Sequence, residues 1–472
     1  MRRLRQGGSS TPRTRRPCPG RLDRSAVLAW LESRIDFERS PPKRGFQPHF
    51  GLARMRRLLT EVGRPQDRLA VVHVAGTKGK GSTVAMLAAI LSAAGHRTGR
   101  YMSPHVHVLE ERICLDGRPI SEADLVSVFA TVIPAVEALD QSANRRGRRG
   151  PTWFEAVTAA ALLYFVRARV DIAVLETGLG GRLDATNCSR PMVSVITSVS
   201  LDHMALLGRT VGRIAAEKAG IIKRGCQVVS GALHPSARRV IATTATRRRA
   251  PLWQLGRDFT ATYQPPPPDE PLAGGWVELA PPLAVADGRG GRYRLAMAGQ
   301  HQAENAALAI VAALAVDAKG LTVPDRAIAR GLAAVELPAR IERLAGRPTV
   351  IVDAAHNVAS MQSLVAALAP ALSRTRPRVL LFASSADKQI EEMLAATRGL
   401  FDHVVVTRYV SNPRAAPIER LVAACRRAGL PMPAVVEPPP AALAAARALA
   451  GRSGVVCVAG SFFLAAEVRN CR

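Results

Sequence analysis

Lysine is scarce in this sequence: only 7 of its 65 basic residues are lysine, and the rest are arginine spread along the chain. Aromatic residues make up 4% of the chain, too few to interleave with the basic ones as a nucleic-acid surface requires. The net charge of +28 therefore reads as a compositional drift toward arginine. Its main physical use is to gather anionic substrates electrostatically. A nucleic-acid-binding module stays as the rival from another functional class, and it predicts binding that falls steeply with salt. No apolar run reaches the eighteen or so residues of a membrane span, so no membrane partner is expected. The seven cysteines are scattered, with no C-x-x-C pair, which argues against a metal cluster or disulfide framework and for a reducing cytoplasm.

The first two dozen residues hold eight arginines with glycine, serine and proline, and no apolar stretch of the secretory type. They read as a disordered basic arm over residues 1–24, with a transit peptide or a misassigned start as alternatives. The 472 residues exceed one ordinary core, so two domains are expected.

What is present is concentrated in Leu69–Thr83. A β-branched apolar run stops at Gly76, and Gly79, Lys80, Gly81 and Ser82 then open an amphipathic helix carrying Val84, Leu87, Leu91 and Ala94 at helical spacing. A strand, a glycine turn and a helix N-terminus form a cradle for a polyphosphate, to which Lys80 adds a full charge. The general G-x-x-x-x-G-K-[ST] pattern is half met, since Val74 stands at its first glycine and Gly81 follows Lys80. A plain glycine turn is the alternative on this segment alone.

Strand and helix patterns alternate from about Ser25 to Val335, with strands expected at Leu69–Ala75, Arg97–Met102, Asp171–Glu176, Met192–Ser198 and Gln227–Ser230. That rhythm predicts a doubly wound α/β domain over 25–335. Loops and short antiparallel strands around Tyr263–Gly290 read as a small appendage. A second, smaller α/β domain is expected over 338–472, with a ligand site in the cleft between the two.

Three polar groups fall at strand or helix ends. Glu176 closes the third strand at the carboxyl edge of the sheet, where one carboxylate beside phosphates suits Mg²⁺; capping a helix or pairing with Arg182 is the alternative. His203 follows the next strand, as a metal-site residue or a satisfied structural histidine. Lys218 sits near a helix end, either as a cation complementing the helix dipole or as a lysine with a specific catalytic state. In the second domain, Arg340 has the chemistry to hold a phosphate, and Asp353 to accept ribose hydroxyls.

Taken together, the chain from about Ile35 to Val468 resembles the folylpolyglutamate synthase and dihydrofolate synthase family of the Mur ligase superfamily. The motifs run in order: Gly76–Ser82, Tyr101–His105, Glu111–Ile113, Thr152–Glu155, Gly178–Asn187, Leu201–His203, Glu217–Ile221, His301–Asn305 and Gly460–Leu464. The resemblance implies a two-domain Mur-ligase-like α/β fold and ATP-dependent addition of L-glutamate to a folate, through an acyl phosphate. Dihydropteroate as a second substrate is left open, and so is a Mur-like ligase acting on another acyl and amine pair. It implies Gly79, Lys80, Gly81, Ser82, Asn305, Arg340, Asp353 and His356 as the ATP site. It implies Ser103, Glu176, His203 and a carbamylated Lys218 as ligands of two Mg²⁺ ions, with Lys80, Lys218 and His203 catalytic. Thr152, Trp153 and Phe154 match the site for the pterin-bearing substrate, and a monomer is expected. The chain departs from the family's pattern at Lys78, where asparagine is usual, at Ala339, where many members carry glycine, and at Ala354 and Val358, which replace a glycine and a proline.

Overall fold

The structure is a computed structural model that describes residues 22–37, 51–145, 147–267, 270, 272–285, 289–373 and 375–471. Residues 1–21 of the basic arm lie outside the described residues.

Eight strands form the first sheet: β1 (Val71–Ala75), β2 (Thr98–Tyr101), β3 (Ile113–Leu115), β4 (Arg118–Pro119), β5 (Ile172–Glu176), β6 (Val193–Ile196), β7 (Gln227–Ser230) and β8 (Leu252–Gln254). Their order is β4-β3-β2-β5-β1-β6-β7-β8. β1 is central and wholly buried, which is why it reads as an unbroken apolar run rather than an alternating one. The sheet is not purely parallel, as a doubly wound reading expects: the short β3–β4 hairpin adds an antiparallel edge. Two residues in β4, one of them proline, leave no alternation to detect in sequence.

Val72 and Val74 face the helix Lys80–Ala93, while Val71 faces the helices Glu122–Asn144 and Trp153–Arg167 on the other side. The alanine-rich helix Gln300–Asp317 is buried over nearly its whole length and packs with Asp325–Ala334 against Lys80–Ala93. Small residues permit that approach: a methyl on Gly331 would lie 2.6 Å from the Ile90 backbone. The strands β9 (Thr260–Gln264), β10 (Trp276–Ala280) and β11 (Gly291–Arg294) form an antiparallel sheet. It is no mere appendage, because Val277, Leu279 and Tyr293 join the same core as Gln300–Asp317.

A second unit carries β12 (Glu342–Leu344), β13 (Thr349–Val352), β14 (Arg378–Phe382), β15 (His403–Val406), β16 (Ala434–Val435) and β17 (Val455–Ala459), in the order β12-β13-β17-β14-β15-β16. All are parallel except β12, which pairs antiparallel with β13. Separate apolar clusters cover its two faces.

The last residues of the expected arm belong to the folded unit. Leu22 packs on its core, Asp23 caps the helix Arg24–Glu32, and Arg24 pairs with Glu110 at 2.5 Å.

Candidate active site

The glycine turn after β1 is pinned to the end of β6. Thr77 N–H donates to Ser198 O at 2.7 Å, Lys78 N–H to Ser198 Oγ at 3.0 Å, and Thr197 Oγ1 donates to Lys78 O at 2.6 Å. Two glycines are needed for space. A methyl on Gly76 would lie 1.8 Å from Thr197 Oγ1, and Gly79, at φ +82°, caps the helix that begins at Lys80. The first N–H groups of that helix thus point out of the sheet's carboxyl edge, as anion binding requires.

Lys80 leaves the first turn of this helix half-buried, its Nζ 3.9 Å from Glu176 Oε1. Glu176 ends β5, is buried, and accepts from Ser103 N–H at 3.3 Å. Burial pushes its carboxyl up, against the opposing charges of Lys80 and of Arg340 from the second unit. The Arg182 alternative fails: Arg182 pairs with Glu217 at 2.8 Å and so staples the Gly178–Asn187 loop onto the helix Val211–Ala219.

Lys218 is not an exposed helix-end cation. It is 3% exposed, and its side-chain amine has no hydrogen-bond or ion-pair partner among the described residues. Its amine is lowered to about 7, first by burial and then by Lys80 and Lys78, with Asp202 opposing. One cavity is lined by Thr77, Lys80, Gly178, Asp202, His203 and Lys218, so three of the expected residues meet there. His203 is half-exposed with φ +48°, and desolvation and three lysines hold its imidazole neutral, lowered to about 4, despite Asp202.

Asp202, next to His203, is the group sequence reasoning missed. It receives Lys78 Nζ at 3.1 Å and, across the seam, Asn357 Nδ2 at 3.5 Å. Burial opposes its ionisation, but Lys78, His203 and Lys388 keep it well below the usual carboxylate range. The signal lay in the Leu201–His203 motif, where the aspartate is as conspicuous as the histidine.

In the second unit, Asp353 spends its carboxylate on the backbone, accepting from Ile341 N–H at 2.9 Å and Ala355 N–H at 2.8 Å. That clamps a turn in which Ala339 and Ile341 have φ +55° and +51°. Ala339 therefore adopts the left-handed backbone that glycine accepts more readily, at a cost of about 1–2 kcal/mol. The turn presents Arg340, whose guanidinium lies 5.4 Å over the Phe462 ring. His356 Nδ1 meets Ala354 O at 2.8 Å, and burial with Lys78 and Lys388 drives its pKa far down. Asn305, buried, donates to Gln302 Oε1 at 3.1 Å and lies directly against Gly79.

The three pterin-site residues divide. Thr152 spends its hydroxyl and N–H on a capping box with Glu155, which also pairs with Arg54 at 2.7 Å. Trp153 lies under the Arg112 guanidinium at 4.5 Å. Phe154 faces the loop, since a methyl on Gly178 would meet its Cζ at 2.6 Å.

Among the described residues no three His, Cys, Asp or Glu side chains converge as a metal cluster. Mg²⁺ does not need one, because it binds through one or two carboxylates together with substrate phosphates and water. Glu176 fits: it is a buried carboxylate only partly balanced by an ammonium 3.9 Å away. The Lys218–His203 wall fits a second cation only if Lys218 itself carries a carboxylate.

Residues 74–313 match the Mur ligase middle domain and residues 339–462 the Mur ligase glutamate ligase domain. A dihydrofolate synthase/folylpolyglutamate synthase of Bacillus subtilis is 33% identical over 446 residues, 94% of this chain and 97% of the relative. The chain belongs to the folylpolyglutamate synthase/dihydrofolate synthase family of Mur ligases. It is an ATP-dependent glutamate ligase, which sets aside both the nucleic-acid module and a ligase for an unrelated acyl acceptor. Mycobacterium tuberculosis folylpolyglutamate synthase complexed with ADP superposes with a TM-score of 0.83 at 33% identity, covering 95% of this chain and 97% of that one. Escherichia coli FolC in complex with DHPP and ADP gives 0.78 at 29% identity, covering 95% and 97%.

Proposed function

We propose that the chain makes dihydrofolate from dihydropteroate and also extends reduced folates with glutamate, using one site. The observation that carries the site assignment is the gathering of Lys80, Glu176, His203 and Lys218 at the sheet edge, with Arg340 of the other unit within electrostatic reach of Glu176. The Bacillus subtilis relative carries both activities in its name, and the Escherichia coli structure contains DHPP.

The substrate carboxylate attacks the γ-phosphorus of ATP, the bond to ADP breaks, and an acyl phosphate forms. The amine of L-glutamate then attacks the acyl carbon, loses a proton, and phosphate leaves. Lys80 and the N–H groups of Gly79, Gly81 and Ser82 hold the phosphates, and Arg340 approaches them when the seam closes. Asn305, beside Gly79, and the clamped Asp353 turn with His356 shape the nucleotide side. Glu176, with Ser103, would hold Mg²⁺, which when bound would supply positive charge against that of the transferred phosphoryl group. Lys218 has the deprotonated amine that carbamate formation needs near neutral pH. As a carbamate it becomes, with His203, a ligand set for a second Mg²⁺. Phe154 and Trp153 border the pterin, while Thr152 fixes the helix that carries them. A closed seam also keeps water from the acyl phosphate.

We place the domain division at residues 335–338, between the helix Asp325–Ala334 and the Asp353-clamped turn. A monomer is part of this reading. The six described cysteines are free, as in a reducing cytoplasm, and no helix among the described residues is long and apolar enough to cross a membrane. ADP release with L-glutamate should appear with dihydropteroate and with tetrahydrofolate. Release with tetrahydrofolate alone would remove the first activity and keep the second.

A further inference from the structure

Arg340 is brought to the site by the second unit, within electrostatic reach of Glu176, and the turn that carries it is held from outside the site. Backbone N–H groups on both sides of it are taken by carboxylates: Ile341 donates to Asp353, and Ala339 donates to Glu342 Oε2 at 2.8 Å. Ala339 and Ile341 both have left-handed backbone, at φ +55° and +51°. Such a turn keeps its shape only where its surroundings hold it.

Glu342 is itself held. Arg469 Nε lies 2.8 Å from Glu342 Oε2 and 3.0 Å from Oε1. Their side chains are 14% and 19% exposed, too sheltered for the solvent screening that makes surface pairs weak. Arg469 ends the helix Phe462–Arg469, and the residue that starts this helix is the Phe462 whose ring lies under the Arg340 guanidinium. One short helix thus meets the turn twice. Its first residue packs on the Arg340 side chain, and its last reaches the turn's backbone through Glu342.

The far side of Arg469 crosses the seam. Its guanidinium donates to His107 Nε2 in the first unit. A guanidinium has donors only, so that ring nitrogen is the unprotonated one. The planar fork of arginine serves Glu342 and His107 together, which a lysine's single point charge does not. His107 is fixed in turn: Glu111 accepts from Val106 N–H at 2.7 Å and from His107 N–H at 3.1 Å, holding the segment just after Ser103. His107, Arg469 and Glu342 therefore join the Ser103 segment of one unit to the Arg340 turn of the other.

We infer that His107, Arg469 and Glu342 are positioning residues that set Arg340 against the phosphates across the closed seam; this rests on the reading of Arg340 as a phosphate contact. A side chain that acts through Arg340 has nothing left to do once Arg340 is gone, whereas general structural support is lost additively. The test is ADP release with saturating L-glutamate and tetrahydrofolate at varied ATP, for Arg340→Ala, Arg469→Ala and the double variant. Arg340→Ala should lower kcat roughly tenfold or more, and Arg469→Ala about threefold or more, with the KM for tetrahydrofolate unchanged. Adding Arg469→Ala to Arg340→Ala should lower kcat by less than about twofold further. His107→Ala should behave like Arg469→Ala, and it carries the same comparison if Arg469→Ala does not fold. His107→Gln, whose amide oxygen accepts from Arg469, should keep at least about half of kcat. Wild-type kcat in Arg469→Ala or His107→Ala, or losses that multiply in full in the double variant, would overturn the inference and leave the role of Arg340 standing. Wild-type kcat in Arg340→Ala would remove both.

Discussion

Gly79 and Asn305 are in contact across the mouth of the nucleotide loop: a methyl group on Gly79 would lie 2.1 Å from Asn305 Oδ1. With φ at +82°, the same position also strains any side chain, by about 1–2 kcal/mol. Gly79→Ala should therefore push Asn305 aside and tilt the first turn of the helix, lowering thermal stability modestly and raising the KM for ATP more than tenfold. Steady-state kinetics at varied ATP checks this, and an unchanged KM would show that the loop is not the nucleotide site.

Glu176 presents a buried carboxylate with one ammonium near it. Glu176→Gln keeps the shape and removes the charge. The Mg²⁺ concentration for half-maximal activity should rise roughly tenfold or more, with activity partly recovered at high Mg²⁺. An unshifted Mg²⁺ dependence would reassign Glu176 to a structural role.

How far the sequence spoke depended on how local each feature is. The Lys80 loop was legible because a β-branched strand, glycines and a helix start lie consecutively in the chain, and Glu176 because a strand's last residue sits at a known edge. Asp202 escaped because its partners Lys78 and Asn357 are 124 and 155 residues away. The burial of Lys218 was invisible for the same reason: its helix reads as amphipathic, and the loop stapled by Arg182–Glu217 packs against it only in the fold. Short antiparallel strands were expected around Tyr263–Gly290, but not that β9–β11 joins the main core, since their alternation has no partner until the helix Gln300–Asp317 packs on it.

Lys218 has a pKa of about 7 against an ordinary 10.5. Between those values the unfolded chain holds a proton that the folded chain releases, so stability should rise with pH from about 7 toward 10.5. In CO₂-free buffer, Lys218→Met should abolish that rise, as read by denaturant unfolding across the range. Lys218→Arg separates the two chemical readings: a carbamate cannot form on arginine, so turnover should fall at least 10²-fold. Wild-type activity lost on CO₂ removal should return with bicarbonate, whereas a fully active arginine variant would end the carbamate proposal.

The folded unit begins before residue 24. A chain starting at Leu22 should retain turnover and stability. One starting at Ser25 loses the Asp23 cap and the Arg24–Glu110 pair and should lose about 0.5–2 kcal/mol while remaining active. Equal unfolding midpoints for the two truncations would show that the cap contributes nothing.

The central claim is that ATP cleavage at the Lys80 loop drives formation of an amide between a folate-type carboxylate and glutamate. Mass spectrometry of the product, with ADP quantified in the same reaction, tests it most directly. One glutamyl residue should be gained per ADP released, only when ATP, L-glutamate and the pterin substrate are all present. Lys80→Ala should lose both together, by about 10²-fold or more, with its fold intact. ADP released without a glutamylated product, or full coupled turnover in Lys80→Ala, would contradict the account.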